Sequence, residues 1–134
     1  MNWTRKYVGK AFKDFGRGPQ EYDCWGLVWD IYRKELGIDL PHYSVSPQAS
    51  GIADTTIRDA VKSADWEESK EAQEFDIVIM ALNWEKPEQN NHVGIYLGSG
   101  ACIHCAQESG VAIVNLSAPL WNNRIRGFYK WQSS

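Results

Sequence analysis

The chain has 134 residues, 43% of them hydrophobic and 23% charged, with seven tryptophans and a formal net charge of −3. That fits one domain with a real core, and it is too apolar for a disordered chain. The acidic balance argues against nucleic-acid binding by bulk phosphate neutralisation, and no apolar run reaches the roughly 20 residues of a membrane-spanning helix, so membrane insertion is not expected.

Residues 3–12 are predicted as a short helix, followed by a polar loop over 13–22 with Gly16, Gly18 and Pro19. A second helix is predicted over 23–36, stopping at Gly37, where a left-handed residue ends many helices. Its apolar residues, among them Trp25, Leu27, Val28, Ile31 and Leu36, surround most of the helix, the pattern of a buried central element. A loop over 38–52 and a third helix over 54–64 follow. Then come a buried strand over 75–82, a polar loop over 83–91, and strands over 92–97, 101–106, 110–115 and 125–132, with Trp121 to Asn123 in a turn or short helix. Helices first and strands later predict a single α+β domain over 1–134 with an antiparallel sheet.

Cys24 falls in the first turn of the buried helix. There the backbone N–H groups and the helix dipole favour thiolate, so its pKa is expected to fall. The same N–H groups suit an oxyanion in acyl transfer. Cys102 and Cys105, three apart on one predicted strand, point to opposite faces and are expected to remain free thiols.

The segment from His92 to Cys105 reads as a hairpin with Gly98-Ser99-Gly100 as a three-residue loop. Leu97 then pairs with Ala101, and Gly94 lies opposite His104. His92 and His104 share one face while Val93, Ile95, Leu97 and Ile103 point into the core; a two-residue loop would separate the histidines. Gly94 is expected to leave space for an approaching group. A thiol nucleophile needs an imidazole to take and return a proton, and that imidazole needs an orienting partner. Cys24, His92 and His104 form such a set. A rival reading joins Cys24, His92, Cys102 and His104 as a zinc tetrahedron, although the spacing matches no common zinc motif.

The runs Asp23-Cys24-Trp25-Gly26-Leu27-Val28, His92-Val93-Gly94-Ile95-Tyr96-Leu97 and Ile103-His104 resemble the NlpC-type (NlpC/p-sixty) papain-like cell-wall cysteine peptidases. Phe75-Asp76-Ile77-Val78-Ile79 and Leu40-Pro41 fit as well, and the resemblance covers nearly the whole chain. It implies a papain-like fold in which a central helix carries the nucleophile Cys24 against the sheet. It further implies His92 and His104 as the other catalytic residues, no cofactor or metal, and peptidoglycan stem peptides as substrate. Trp25, the run Val28 to Ile38 and the ending Arg126-Gly127-Phe128-Tyr129 most resemble stand-alone bacteriophage and prophage versions. These imply phage tail proteins as partners, synthesis in the bacterial cytoplasm without a secretory signal, and action at the cell wall from the virion. Alternatives within the resemblance are a tail assembly component, or an amidase or acyltransferase on another substrate. The family often carries a Pro-Tyr where this chain has Ala11-Phe12, which leaves Tyr7 as the candidate for the missing hydroxyl.

Overall fold

A computed structural model of the chain describes residues 2–41, 60–61, 63, 65–81 and 92–132. A 3-10 helix, Asn2–Lys6, leads to two short strands, β1 (Ala11–Phe12) and β2 (Glu21–Tyr22), which pair in parallel. Helix α1 (Cys24–Ile31) runs into a π-helical turn, Tyr32–Leu36, and ends at Gly37 in the left-handed conformation (φ 68°). The strands β3 (Trp66–Glu68), β4 (Ile77–Met80), β5 (His92–Gly98), β6 (Ala101–Ala106), β7 (Gly110–Asn115) and β8 (Ile125–Trp131) form one antiparallel sheet in the order β3-β8-β4-β5-β6-β7. A single turn, α2 (Pro119–Asn122), precedes β8.

The predicted central helix and the four C-terminal strands stand, and the fold is α+β with the helix on an antiparallel sheet. The N-terminal helix is shorter than predicted, and the loop expected over 13–22 ends in a strand. Two-residue strands carry no periodicity of their own and form only because a partner lies beside them. Strand β3 went unpredicted for the same reason: Glu67 and Glu68 are exposed and only Trp66 is buried. The strand expected over 75–82 is trimmed to Ile77–Met80. The helix expected over 54–64 lies outside the described residues except for Ala60 and Val61, which are helical, and the loop over 83–91 lies wholly outside them.

Side-chain alternation gives the sheet two faces. Ile77, Ile79, Val93, Ile95, Leu97, Ile103 and Cys105 pack with Leu27, Val28 and Ile31 of α1 in the main core. Burying each such aliphatic side chain contributes about 1.5–3 kcal/mol, so α1 is held by its setting more than by its own eight residues. Val78, Met80, Cys102 and Leu116 form a smaller cluster on the opposite face. Cys102 and Cys105 thus lie on opposite faces, and both are free thiols, as expected.

The hairpin keeps the expected facing by a different route. Gly94 pairs with His104, Ile95 with Ile103 and Tyr96 with Cys102, but Ala101 pairs with Gly98. Leu97 is therefore an extra residue in β5, a β-bulge. The turn itself is Ser99-Gly100, both at positive φ (54° and 82°), the twist that two-residue hairpins favour. Bulge plus two-residue turn adds up to the offset of the expected three-residue loop, so His92 and His104 remain on one face.

Candidate active site

Asp23 anchors the start of α1. Its carboxylate accepts from the Gly26 N–H at 2.6 Å, the Phe15 N–H at 3.0 Å and Arg17 Nη1 at 2.9 Å. This is a helix N-cap that also ties down the preceding loop. The glycine two residues after Cys24 has a packing cause: a Cβ on Gly26 would lie 1.8 Å from the Gly16 carbonyl oxygen. Cys24 is fully buried, and the backbone N–H groups of Val93 and Trp25 point at its sulfur. The nucleophile candidate therefore touches β5 at the residue following His92.

The expected fall in the Cys24 pKa does not occur. Burial pushes the thiol up to about 12, and the neighbouring Asp23 carboxylate adds to the rise. The two N–H groups favour thiolate but do not offset the loss of water.

His92 and His104 are each 1% exposed and meet directly, His92 Nε2 to His104 Nδ1 at 2.8 Å, with their rings near perpendicular at 88°. Burial holds His92 well below the usual imidazole range, helped by His104 and by the Arg124 charge; burial alone lowers His104 to about 4. Both rings are neutral at neutral pH. The two outer nitrogens, His92 Nδ1 and His104 Nε2, are buried with no hydrogen-bond partner among the described residues. The structure thus joins the two histidines and sets Cys24 against the same strand, but no hydrogen bond links the thiol to His92 Nδ1.

Gly94 does not serve as space for a ligand. A Cβ there would meet Cys102 Sγ at 2.7 Å and the Ile103 carbonyl oxygen at 2.8 Å, so the glycine lets β6 approach β5. Tyr7 is not the missing hydroxyl donor: its OH donates to Glu35 at 2.8 Å, and Glu35 also pairs with Lys6. The zinc reading finds no support in the geometry. Cys102 Sγ bonds its neighbour's carbonyl, Ile103 O, at 3.6 Å, and no group of three or more His, Cys, Asp or Glu is placed to hold a metal among the described residues.

Sequence reasoning missed two members of the site. A cleft of about 410 Å³ opens beside the histidines, with Trp121 and Arg124 in its wall. Trp121 meets His104 edge-on at 4.9 Å, and the Arg124 guanidinium lies 5.3 Å from the Trp121 ring centre. Their only signal in the sequence was a Trp and an Arg flanking the Asn122-Asn123 turn.

Residues 9–130 match the NlpC/P60 family. The chain is 32% identical over 93% of its length to the Listeria innocua protein named "Probable endopeptidase p60", covering 23% of that protein. It is 25% identical over 92% of its length to the Escherichia coli K12 protein named "Murein DD-endopeptidase MepS/Murein LD-carboxypeptidase", covering 57% of it. The crystal structure of an NlpC/P60 family protein from Bacillus cereus superposes with a TM-score of 0.70 at 23% identity, over 97% of this chain and 38% of that one. The chain therefore spans from just under a quarter to just over half of these curated relatives, and by the extent of the match it belongs to the NlpC/P60 family.

Proposed function

We propose that the protein is a cysteine peptidase or amidase hydrolysing amide bonds in peptidoglycan stem peptides, with Cys24 as nucleophile, His92 as base and acid, and His104 as the residue that orients His92. One observation carries the reading: the 2.8 Å bond between His92 Nε2 and His104 Nδ1 leaves His92 Nδ1 unpartnered, on the residue next to the N–H that meets the Cys24 sulfur. For Nδ1 to act as a base, Nε2 must carry the ring proton and donate it to His104.

The resting groups are a neutral thiol and a neutral imidazole, so the proton moves as the bond forms. Cys24 Sγ attacks the amide carbonyl while its proton passes to His92 Nδ1. The resulting imidazolium donates through Nε2 to His104, then returns the Nδ1 proton to the leaving nitrogen as the amide C–N bond breaks. Water, deprotonated by His92, hydrolyses the thioester and frees Cys24 and a carboxylate product. The reading extends to a bacteriophage or prophage tail as carrier and to action at the cell wall from the particle. Its support is the resemblance of Trp25, Val28 to Ile38 and Arg126 to Tyr129 to phage versions. Tryptic peptides of this chain in purified particles are the expected finding; particles that lack it point to an assembly role.

The test is digestion of purified peptidoglycan, with the fragments identified by mass spectrometry. Wild type should release stem-peptide fragments. Cys24→Ala should release none above background, since no other group forms the acyl intermediate. His92→Ala should be nearly as inactive, and His104→Ala milder, because water partly replaces an orienting group. Equal digestion by wild type and Cys24→Ala would sink the proposal, and a fully inactive but folded His104→Ala would exchange the roles of the histidines.

A further inference from the structure

Two neutral imidazoles carry two ring protons between them. One lies in the 2.8 Å bond between His92 Nε2 and His104 Nδ1. The other sits on an outer nitrogen, His104 Nε2 or His92 Nδ1, and both are buried without a hydrogen-bond partner among the described residues. With the proton on His104 Nε2, His92 donates to His104 and keeps a lone pair at Nδ1. With the proton on His92 Nδ1, the central bond reverses and the base is lost. A third proton on the pair is opposed by burial, and at His92 also by His104 and Arg124. The choice between the two tautomers therefore falls to whichever outer N–H finds an acceptor.

Trp121 stands beside one of the two. Its indole meets the His104 imidazole with ring centres 4.9 Å apart and planes at 77°, an edge-to-face contact. Cγ of His104 is tied to the backbone and Nδ1 to His92, so the imidazole edge left for Trp121 holds Nε2 between Cε1 and Cδ2. An N–H edge is positive and an indole face negative, and the two together make an N–H···π bond. The indole is also held in place. Trp121 N donates to Ala118 O and Arg124 N to Trp121 O, each at 2.9 Å, and the ring packs against the cluster of Val78, Met80, Cys102 and Leu116. His92, by contrast, meets no ring other than His104 among the described residues.

We propose that Trp121 is a positioning residue: its indole face accepts the His104 Nε2–H and so holds the histidine pair in the tautomer that leaves His92 Nδ1 open to the Cys24 proton. The proposal rests on the roles assigned to Cys24, His92 and His104 above. Trp121 acts through His104 and not on the reacting atoms.

The test is nitrogen NMR on the whole chain with isotopically labelled histidine, at neutral pH and without substrate. In wild type, His92 and His104 should each show a pyrrole-like Nε2 and a pyridine-like Nδ1, with the His104 Hε2 proton shifted upfield by the indole ring current. Trp121→Leu should return that proton downfield and convert the pair, wholly or in part, to the Nδ1–H tautomer. Trp121→Phe, which keeps an aromatic face, should hold the wild-type pattern. On a peptidoglycan-derived peptide, the kcat of Trp121→Leu should fall about fivefold with KM little changed, the scale of one weak hydrogen bond, and Trp121→Phe should recover most of it. A protonated Nδ1 on wild-type His104, or a tautomer unchanged in folded Trp121→Leu, overturns the proposal. So does a loss confined to KM, which makes Trp121 a wall for the substrate only. If Trp121→Leu does not fold, the wild-type spectrum decides: an Hε2 proton without the upfield shift overturns the proposal. The NMR needs no turnover, so it is read apart from the hydrolase reading. In a chain that cleaves nothing, loss of the Nε2–H tautomer in Trp121→Leu still supports the positioning role, and its persistence overturns it.

Discussion

The two halves of the site are built by opposite means. Around Cys24 everything is closed: a capped helix start, a loop carbonyl pressed against Gly26, and a sulfur with no exposed surface. Around the histidines the side chains are buried too, but they border a cleft of about 410 Å³. The contrast teaches that position along a helix does not by itself decide the state of a thiol. The N–H groups of the first turn are present, yet burial, with the Asp23 charge beside it, raises the Cys24 pKa to about 12. On the histidine side the same low polarity keeps two imidazoles neutral while leaving them next to space a substrate can enter.

The strongest way to break the contrast is to force open the closed half. Gly26→Ala sets a methyl 1.8 Å from the Gly16 oxygen; the loop over 13–18 must move, and stability should drop by about 3 kcal/mol in urea unfolding. An unchanged midpoint would mean that the loop yields freely and that Gly26 is not held by it.

Next in size is acid. The folded-state pKa of His104 lies at about 4, below its unfolded value of about 6.5. Above pH 6.5 neither state binds the proton, and the full stability is present; between pH 6.5 and 4 the unfolded chain gains a proton that the folded one refuses. Stability should therefore fall by about 3 kcal/mol across that window from this group, with His92 acting in the same direction. Guanidinium unfolding at pH 7, 5.5 and 4.5 reads the slope, and His104→Gln should flatten it. The same slope in both proteins would locate the acid sensitivity elsewhere.

The smallest effect expected is a missing one. Burial raises Cys24, Cys102 and Cys105 alike, each to about 12. In the free protein at pH 7 to 8.5, Cys24 should therefore be alkylated by iodoacetamide no faster than the other two, with a rate still climbing at the alkaline end. A plateau below the free-thiol value of about 8.5 would show that the closed half opens on its own and that a thiolate–imidazolium pair exists before substrate arrives.

The legible parts of this molecule are those in which neighbours along the chain make the argument. All-round apolar residues and Gly37 mark α1, and alternation within His92–Tyr96 and Cys102–Cys105, joined by an odd offset, places both histidines on one face. Strand β3 and the short β1–β2 pair were not legible, because their pairing is decided by distant segments. Trp121 and Arg124 were missed because only the passage of β8 beside β4 brings them to the histidines. The thiol's state was misread because the depth of burial of Cys24 depends on the packing of α1 on the sheet, which no spacing records. Gly94 was given to a ligand when its space belongs to β6.

The bulge at Leu97 also sets a rule of parity for the chain's variation. Between Tyr96, paired with Cys102, and the turn at Ser99-Gly100, one residue is surplus. Deleting that residue, or any one in the turn, shifts β6 by a single step and turns it over. His104 would then face the helix-side core, while Ile103 and Cys105 would lie toward the cleft. Removing or adding residues two at a time preserves every facing. Length changes in this hairpin are thus tolerable only in even steps, and the one-residue bulge, which touches neither imidazole, is as necessary to their meeting as either side chain.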